Sequence, residues 1–325
     1  MSNNKIKGFL DFLSKWGTVI TLILLILFFS VTMPETFFTK SNLITILRSI
    51  SIVTVIAIGV TISLTVNGFD LSVGSTATFG ASVVMSMFVW HSLSTGVSIL
   101  ITILLVSLIG VFNAFLITKL RVPDTLATLA AMFVFQGVAM TYSGGGSISE
   151  NMIMKSGDIA TGEVPDAFLM FGKEPWIIII MLTIVILVHI FLTYTKHGRY
   201  MYTVGGNIEA AKLSGINVNR YRTLAYVLSA VFATIGGMMI VARIGSAQIN
   251  AGSGYLMPSV AAAYIGFSFA GSGKPNAIGT LIGAFLVGVL ENGLTMMSVP
   301  YYSLDIVKGL VLALALASTY FRKKD

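Results

Sequence analysis

The chain of 325 residues is 55% hydrophobic, only 10% charged, and contains no cysteine. Soluble domains carry about 25% charged residues, so the deficit predicts a lipid environment, and the lack of cysteine excludes disulfides, thiolate chemistry and Cys-ligated metals. The net charge of +7 does not indicate nucleic acid, because the basic residues lie in short segments between apolar runs and form no stripe with interleaved aromatics.

Apolar runs long enough to span a bilayer recur along the whole chain. They predict an all-α polytopic membrane protein with about ten transmembrane helices, some of them broken. The predicted spans are Trp16–Met33, Leu43–Val66, Leu71–Trp90, Val97–Thr118, Thr125–Thr141, Trp176–Tyr194, Thr223–Ala242, Tyr255–Ala270, Ala277–Met297 and Leu304–Phe321. The fifth and eighth are short and interrupted, which leaves open whether they fully cross. The first is expected to be retained, since no small-residue cleavage site follows it.

Basic residues are concentrated on one side of this predicted topology. With the N-terminus in the cytoplasm, fourteen of the twenty Lys and Arg residues fall in cytoplasmic segments, whereas the outer interval holds five acids and two lysines. Both termini are therefore expected in the cytoplasm. The expected organisation is a cytoplasmic arm (1–15), a transmembrane domain (16–321) with a cytoplasmic loop (196–222) and an extracytoplasmic loop (143–175), and a cytoplasmic tail (322–325).

The loop 196–222 is one of the few long polar intervals, with five cationic residues and a single acid, Glu209. Its apolar positions leave room for one short amphipathic helix, with Gly205-Gly206 before it and Gly215 at its end. Those apolar positions are Ile208, Ala211, Leu213 and Ile216. A short helix held outside the bilayer between two long spans is expected to be a docking element for another protein.

Few ionisable residues lie within the predicted spans, where charge is costly and marks functional sites. Asp70 stands at the break between spans two and three and is expected to cap the next helix, to contact substrate, or to do both. Amide groups near the membrane suit a neutral polyhydroxyl solute or, alternatively, bonds between helices. They are Asn113, Gln136, Gln248 and Asn250. A polar cluster of unassigned role is expected from Glu291, Asn292, Asp305 and Lys308.

Glycine spacing indicates close helix packing and a possible internal repeat. Gly68 to Gly80-Ala81 has the same spacing as Gly271 to Gly283-Ala284, which fits either a transporter repeat with broken helices or chance. Small residues four apart recur in spans seven and nine and allow helices to approach closely in lipid. They are Ala233 with Gly237, Gly279 with Gly283, and Ala284 with Gly288. Packing within the chain is the expected role, and a subunit interface is the alternative.

Enzyme signatures are missing from the sequence. The run Gly271-Ser272-Gly273-Lys274 resembles the end of a phosphate-binding loop, but the upstream glycine has the wrong spacing and Pro275 replaces Ser or Thr. An ion-coupled transporter would need a buried acid in mid-span, whereas Asp70 sits at a break. Energy for transport would therefore come from another protein.

Three segments carry a family resemblance: residues 67–75, residues 198–217, and residues 246–255 with the run into 279–284. Together they resemble the ribose-type permeases of bacterial ATP-binding-cassette importers. Residues 67–75, N-G-F-D-L-S-V-G-S, are similar to that family's G-x-D-L-S-V-G-S segment. Residues 198–217 resemble its cytoplasmic loop, including the Glu-Ala-Ala-x-x-x-Gly coupling core at 209–215. Residues 246–255, followed by the small-residue run into 279–284, form the third match. One departure is 271–276, G-S-G-K-P-N, where a Gly-Gly-Lys-Gly-like sequence is expected.

The resemblance implies the permease subunit of an importer that moves a pentose, hexose or related small polar solute across the bacterial cytoplasmic membrane. It implies as partners a cytoplasmic ATPase, which holds ATP and magnesium, an extracytoplasmic sugar-binding protein and a second permease copy, with no cofactor on this chain. Permeases for nucleosides or branched-chain amino acids, and an ion-coupled secondary transporter, are the alternatives.

The resemblance transfers the family's coupling role to Glu209, Ala210, Ala211 and Gly215, whereas the candidates for the substrate path follow from the chemistry of their own side chains. The residues expected to couple to the ATPase are Arg199, Glu209, Ala210, Ala211, Gly215 and Asn217. Those expected along the substrate path are Asn67, Asp70, Ser72, Gln136, Gln248 and Asn250.

Overall fold

The computed structural model describes residues 2–300 apart from 155 and 272, together with 302–303, 306–307 and 309–310. Within these residues the regular structure is helical, apart from two isolated β-bridges. The α-helices are α1 (Ser2–Thr32), α2 (Lys40–Thr65), α3 (Val73–Val89), α4 (Thr95–Thr118), α5 (Asp124–Ser143), α6 (Asp166–Leu169), α7 (Trp176–Tyr194), α8 (Lys196–Gly206), α9 (Ile208–Leu213), α10 (Val218–Ile244), α11 (Ser253–Ile265) and α12 (Ala277–Met296). Short 3-10 helices cover Met170–Gly172 and Gly266–Gly271.

The predicted all-helical fold is confirmed, whereas the count of ten spans is not. Among the described residues, six helices are long and apolar enough to cross a membrane, namely α2, α4, α5, α7, α10 and α12. The apolar part of α1, Trp16–Thr32, and α3 are shorter. Predicted span ten, with Asp305 and Lys308, lies mostly outside the described residues.

Predicted span eight is shorter than expected. Helix α11 has 13 residues with Pro258 inside it. At 1.5 Å per residue it is about 20 Å long, less than the hydrocarbon core of about 30 Å. The chain then continues as the 3-10 helix Gly266–Gly271 instead of an α-helix. This segment therefore does not form a full-length spanning helix by itself.

Helices α2 and α10 form the centre of the bundle. Two thirds of the apolar window of each is buried within the chain (67%), against 22–33% in α4, α5 and α7. Helix α10 packs along α2, α3 and α4, while α11 and α12 close the other side of α2. The outer helices leave Leu and Phe side chains exposed, which suits contact with lipid tails.

The glycine pattern on α10 and α12 serves packing within this chain, as expected. A Cβ at Gly237 would overlap the carbonyl of Ala77 on α3, and a Cβ at Gly283 would overlap the carbonyl of Ala262 on α11. Because no side chain fits there, the backbones approach closely enough for dispersion contacts over their whole interface. Gly68 and Gly271 each precede a helix after a polar break, but the internal repeat stays a prediction.

The central loop contains one more helix than expected. The short predicted helix is confirmed as α9, which begins after Asn207 and is followed by Gly215 at φ +74°. Gly205-Gly206, however, end the additional helix α8 instead of forming a loop. Gly205 lies so close to the carbonyl of Thr65 that a Cβ would overlap it. This contact with the end of α2 explains why α8 folds back onto the bundle.

The interval 143–175 folds over one end of the bundle, opposite to α8 and α9. Ile148 pairs with Ala247 in an antiparallel bridge, so the segment is joined to the end of α10. Gly162 lies against the carbonyls of Phe88 and Val89 at the end of α3. This interval is therefore packed against the ends of α3 and α10.

Candidate functional site

The break between α2 and α3 holds a buried polar cluster around Asp70. One carboxylate oxygen, Oδ1, accepts hydrogen bonds from the backbone N–H of Ser72 at 2.9 Å and from its hydroxyl at 2.6 Å. The Ser72 hydroxyl in turn accepts from Asn113 Nδ2 on α4 at 2.9 Å. The Asp70 carboxylate therefore accepts a backbone N–H just before α3, but Asp70 is not the predicted cap of this helix, because Ser72 is the N-cap residue.

Helix α5 holds the same break from its other side. The Thr128 hydroxyl lies 2.9 Å from the carbonyl oxygen of Phe69 and accepts the N–H of Leu71 at 3.2 Å. These bonds satisfy backbone groups that have no helical partner, since α2 ends at Thr65 and α3 begins at Val73. The segment that carries Asp70 is thereby fixed to α4 and α5.

A second polar group, which the sequence interpretation missed, lies one turn earlier on α5. Asp124 forms an ion pair with Arg222 of α10, and the two side chains are only 16% and 19% exposed. Its other oxygen accepts the hydroxyl of the buried Tyr226. A Cβ at Gly68 would lie 2.5 Å from the Tyr226 hydroxyl and 2.8 Å from the Asp124 carboxylate. The group therefore contacts the backbone of the break directly.

Two of the predicted substrate-path amides meet each other. Gln136 Nε2 on α5 donates to Asn250 Oδ1 at 2.6 Å and to the carbonyl of Ile249 at 3.2 Å. Gln248 is exposed nearby in sequence, and Asn67 is exposed at the end of α2 with φ +55°. The six substrate-path residues thus divide into a group at the break (Asn67, Asp70, Ser72) and a group at the contact between α5 and the segment that follows α10 (Gln136, Gln248, Asn250).

The predicted coupling residues surround α9. Asn207 caps the start of α9 by accepting the N–H of Ala210 at 3.0 Å. Asn217 caps the start of the next helix, α10, by accepting the N–H of Arg220 at 3.0 Å. Ala211 is buried against the bundle, while Glu209 and Ala210 are exposed.

The outer face of α9 combines charge with an apolar side chain. Glu209 accepts from Lys212 at 2.8 Å, and Leu213 is 90% exposed. Gly215 is exposed at the end of the segment, and Arg199 is exposed on α8, where it reaches the carbonyl of Tyr194 at 3.5 Å.

A cleft of about 500 Å³ separates α9 from the turn between α4 and α5. Its walls include Ile208 and Lys212 of α9, Arg121 of the turn, and both members of the Asp124–Arg222 pair. The cleft is open to solvent on the side of the bundle that carries α8 and α9. Any displacement of α9 therefore changes the surroundings of that ion pair.

The polar residues near the end of α12 have a structural contact. Asn292 Nδ2 donates to Asn42 Oδ1 of α2 at 2.9 Å, which joins the two helices. Within the part of the chain that the structure describes, no group of three His, Asp or Glu side chains is placed to hold a metal ion.

This arrangement defines a class of protein. A bundle of apolar helices encloses a polar break, and a short capped helix stands outside it between two long apolar helices, as in a membrane transport protein. The chain belongs to the family described as branched-chain amino acid transport system / permease component, which matches residues 42–316. The predicted membership of the permease superfamily of sugar importers is confirmed by named relatives.

Three relatives illustrate the similarity. The chain is 34% identical to the ribose import permease protein RbsC of Escherichia coli (strain K12) over 324 residues, which cover 97% of this chain and 98% of the relative. It is 31% identical to RbsC of Bacillus subtilis (strain 168), over 93% and 92% of the two chains. Identity to the xylose transport system permease protein XylH of Escherichia coli (strain K12) is 27%, over 91% and 89%. No solved structure matches the chain significantly.

Proposed function

We propose that this chain is the membrane permease subunit of an ATP-binding-cassette importer that moves a sugar, such as a pentose or hexose, into the cell. The observation that carries the proposal is α9, a capped helix with Glu209, Ala210 and Leu213 exposed, between the long apolar helices α7 and α10. The near-full-length similarity to permeases named for ribose and xylose supports the choice of sugar.

Helix α9 is suited to receive a mechanical input. Leu213 is 90% exposed on a short helix outside the apolar bundle, so its apolar surface is available for burial against a partner protein. The buried Ala211 and the capped start of α10 connect this helix firmly to the bundle. Closure of the partner ATPase around ATP and magnesium would therefore displace α7, α8 and α10 together.

The proposed arrangement places α8, α9 and both termini in the cytoplasm and about ten spans in the bilayer, following the positive-inside rule. A sugar-binding protein would dock on the opposite face, beside the interval 143–175, and a second permease copy would complete the transmembrane unit. The path would pass the amides Gln136 and Asn250 and the break at Asp70. Because the binding protein captures the sugar, the permease needs only a different preference for it in two states.

Charge reversal on α9 tests the coupling role. Glu209→Lys is expected to leave insertion and abundance unchanged but to abolish substrate-stimulated ATP hydrolysis by the reconstituted complex, because it removes the only acid on the docking face. The control is Glu35→Lys, an exposed acid that belongs neither to the α9 segment nor to the interval 143–175. Unaltered coupling in the Glu209→Lys complex, measured in vesicles, would remove α9 from the proposal.

The family description favours one alternative cargo, a branched-chain amino acid. The two cargoes differ chemically: a sugar needs many hydrogen-bonding partners, whereas leucine needs an apolar pocket and a charge pair. Competition of labelled ribose, xylose and leucine for uptake by the complete complex separates them. Uptake that persists without ATP hydrolysis but stops with a proton ionophore would instead indicate an ion-coupled transporter.

A further inference from the structure

We propose that Asp124, Arg222 and Tyr226 are positioning residues of the transport cycle: together they form a latch that holds the α2–α3 break closed. The break segment comprises residues 66–72, including Asp70. The inference rests on the proposed function for the force that opens the latch, which would come from α9. The latch itself is a property of this chain.

The first argument is contact. Arg222 and Tyr226 are four residues apart on α10, so both side chains point from one face of the helix towards Asp124. The carboxylate bonds to each with a different oxygen. A Cβ at Gly68 would lie 2.5 Å from the Tyr226 hydroxyl and 2.8 Å from the Asp124 carboxylate, so any larger residue would have to displace these side chains. The backbone of the break therefore lies directly beside the ion pair.

The second argument is that α5 holds the break at two successive turns. Asp124 faces Gly68, and Thr128, one turn later, bonds to Phe69 and Leu71. The bond from Asn113 to Ser72 attaches the segment bearing Asp70 to α4. Its contacts with Asp124 and Thr128 attach it to α5, and the contact of Gly68 with Tyr226 attaches it to α10. Separation of α5 from α10 would free one side of the segment while the other stays attached.

The third argument is position. Arg222 lies in the second turn of α10, five residues after the cap at Asn217 that ends the α9 segment. The ion pair also forms a wall of the cleft beside α9. A displacement of α9 is thus transmitted to Arg222 with little intervening chain. Because the ion pair is largely shielded from water but borders an open cleft, separation of α5 from α10 would let water replace the pairing.

The absence of cysteine allows a direct test on the full-length chain in membranes. Ser229 is buried beside the Asp70 carboxyl, so Ser229→Cys places a near-isosteric thiol behind the break. In this background, Asp124→Asn removes the charge but keeps an acceptor for Tyr226. We expect N-ethylmaleimide to label the thiol about tenfold faster, the change that a loss of about 1.4 kcal/mol from the closed state produces.

Two further variants keep the test decisive. Tyr226→Phe preserves the ion pair and removes only the hydrogen bond from the Tyr226 hydroxyl to Asp124, so a smaller acceleration of labelling is expected. This variant replaces Asp124→Asn if that variant fails to fold. Arg222→Lys retains the charge and is expected to restore slow labelling relative to Arg222→Gln. The matched control is Glu174→Gln, which breaks the Arg48–Glu174 pair (3.3 Å) elsewhere in the bundle and is expected to leave labelling unchanged.

The reconstituted complex supplies the readout that a merely structural pair would not affect. Asp124→Asn is expected to raise ATP hydrolysis in the absence of sugar and to lower the sugar transported per ATP. Labelling equal to the parent in both Asp124→Asn and Tyr226→Phe overturns the latch, whatever the transport result. Faster labelling in a protein that proves indifferent to ATP would support the latch and reject the proposed function.

Discussion

The hydroxyl of Tyr202 in α8 donates a hydrogen bond of 2.6 Å to the backbone carbonyl of Pro275. This bond joins the central loop to the turn before α12, the region in which the sequence departs from the family pattern. Asn276 caps α12 by accepting the N–H of Gly279 at 2.6 Å, and Gly273 has φ +57°. Pro275 has no backbone N–H to donate, but its carbonyl oxygen accepts the hydrogen bond that joins the two segments.

Removal of this bond is expected to destabilise the protein modestly. Burial raises the pKa of Tyr202 to about 12, so the phenol remains a neutral donor through neutral and mildly alkaline pH. Tyr202→Phe should lower the free energy of unfolding by about 1 kcal/mol at pH 7. Since the ordinary tyrosine pKa is about 10, the advantage of the parent should be intact below pH 10 and disappear as pH rises through about 12.

Thermal unfolding in detergent across this pH range measures the effect. The control is Tyr200→Phe, a more exposed tyrosine of the same helix whose ring packs edge-on against Tyr221. A parent advantage that is already lost at pH 8 would show that the Tyr202 phenol is not held in its neutral form.

Replacement of Asp70 should separate its structural role from its role in transport. Asp70→Ala leaves the buried N–H and hydroxyl of Ser72 without their acceptor, at a cost of about 1–3 kcal/mol. We expect lower sugar uptake and a lower unfolding temperature. Asp70→Asn keeps an acceptor oxygen and should restore most of the stability. Normal uptake by Asp70→Ala at normal membrane abundance would make Asp70 a dispensable cap.

A pair of glycine substitutions tests the packing of α12. In Gly283→Ala the new methyl group would overlap the carbonyl of Ala262, so the helices must separate, at a cost of about 1–3 kcal/mol. Gly137 of α5 has nothing within 4 Å of an added Cβ. Gly137→Ala should therefore be neutral or slightly stabilising, because alanine favours helix. Unfolding temperatures that rank in the opposite order would contradict the observed contact.

Parts of the site could be predicted from short segments alone. The α9 helix was predicted from its apolar positions and from Gly215 at its end, because a left-handed glycine ends a helix locally, within one or two turns. The role of Asp70 beside Ser72 is equally local. Helix α8 was missed because Gly205-Gly206 suggest a turn, whereas contact with the end of α2 favours the helix.

The Asp124–Arg222 pair could not be predicted in this way. Its members are 98 residues apart, and each has an ordinary local explanation: Asp124 is an acid in the first turn of a helix, and Arg222 is a base in the predicted cytoplasmic loop. A weak signal existed: Asp124 is the only acid between spans four and five, next to the basic Lys119 and Arg121. Nothing in that signal identifies Arg222 as its partner.

By itself the sequence determined that this chain is a helical membrane protein, where most of its long helices lie, and which family it resembles. Lipid imposes these features locally, since each spanning segment must be apolar and must satisfy its own backbone groups. The tertiary structure alone decided which polar residues meet: Asp70 with Asn113 through Ser72, Gln136 with Asn250, and Asp124 with Arg222 and Tyr226. Contacts between side chains on different helices depend on how the glycine-lined helices pack, and that packing is a property of the whole bundle.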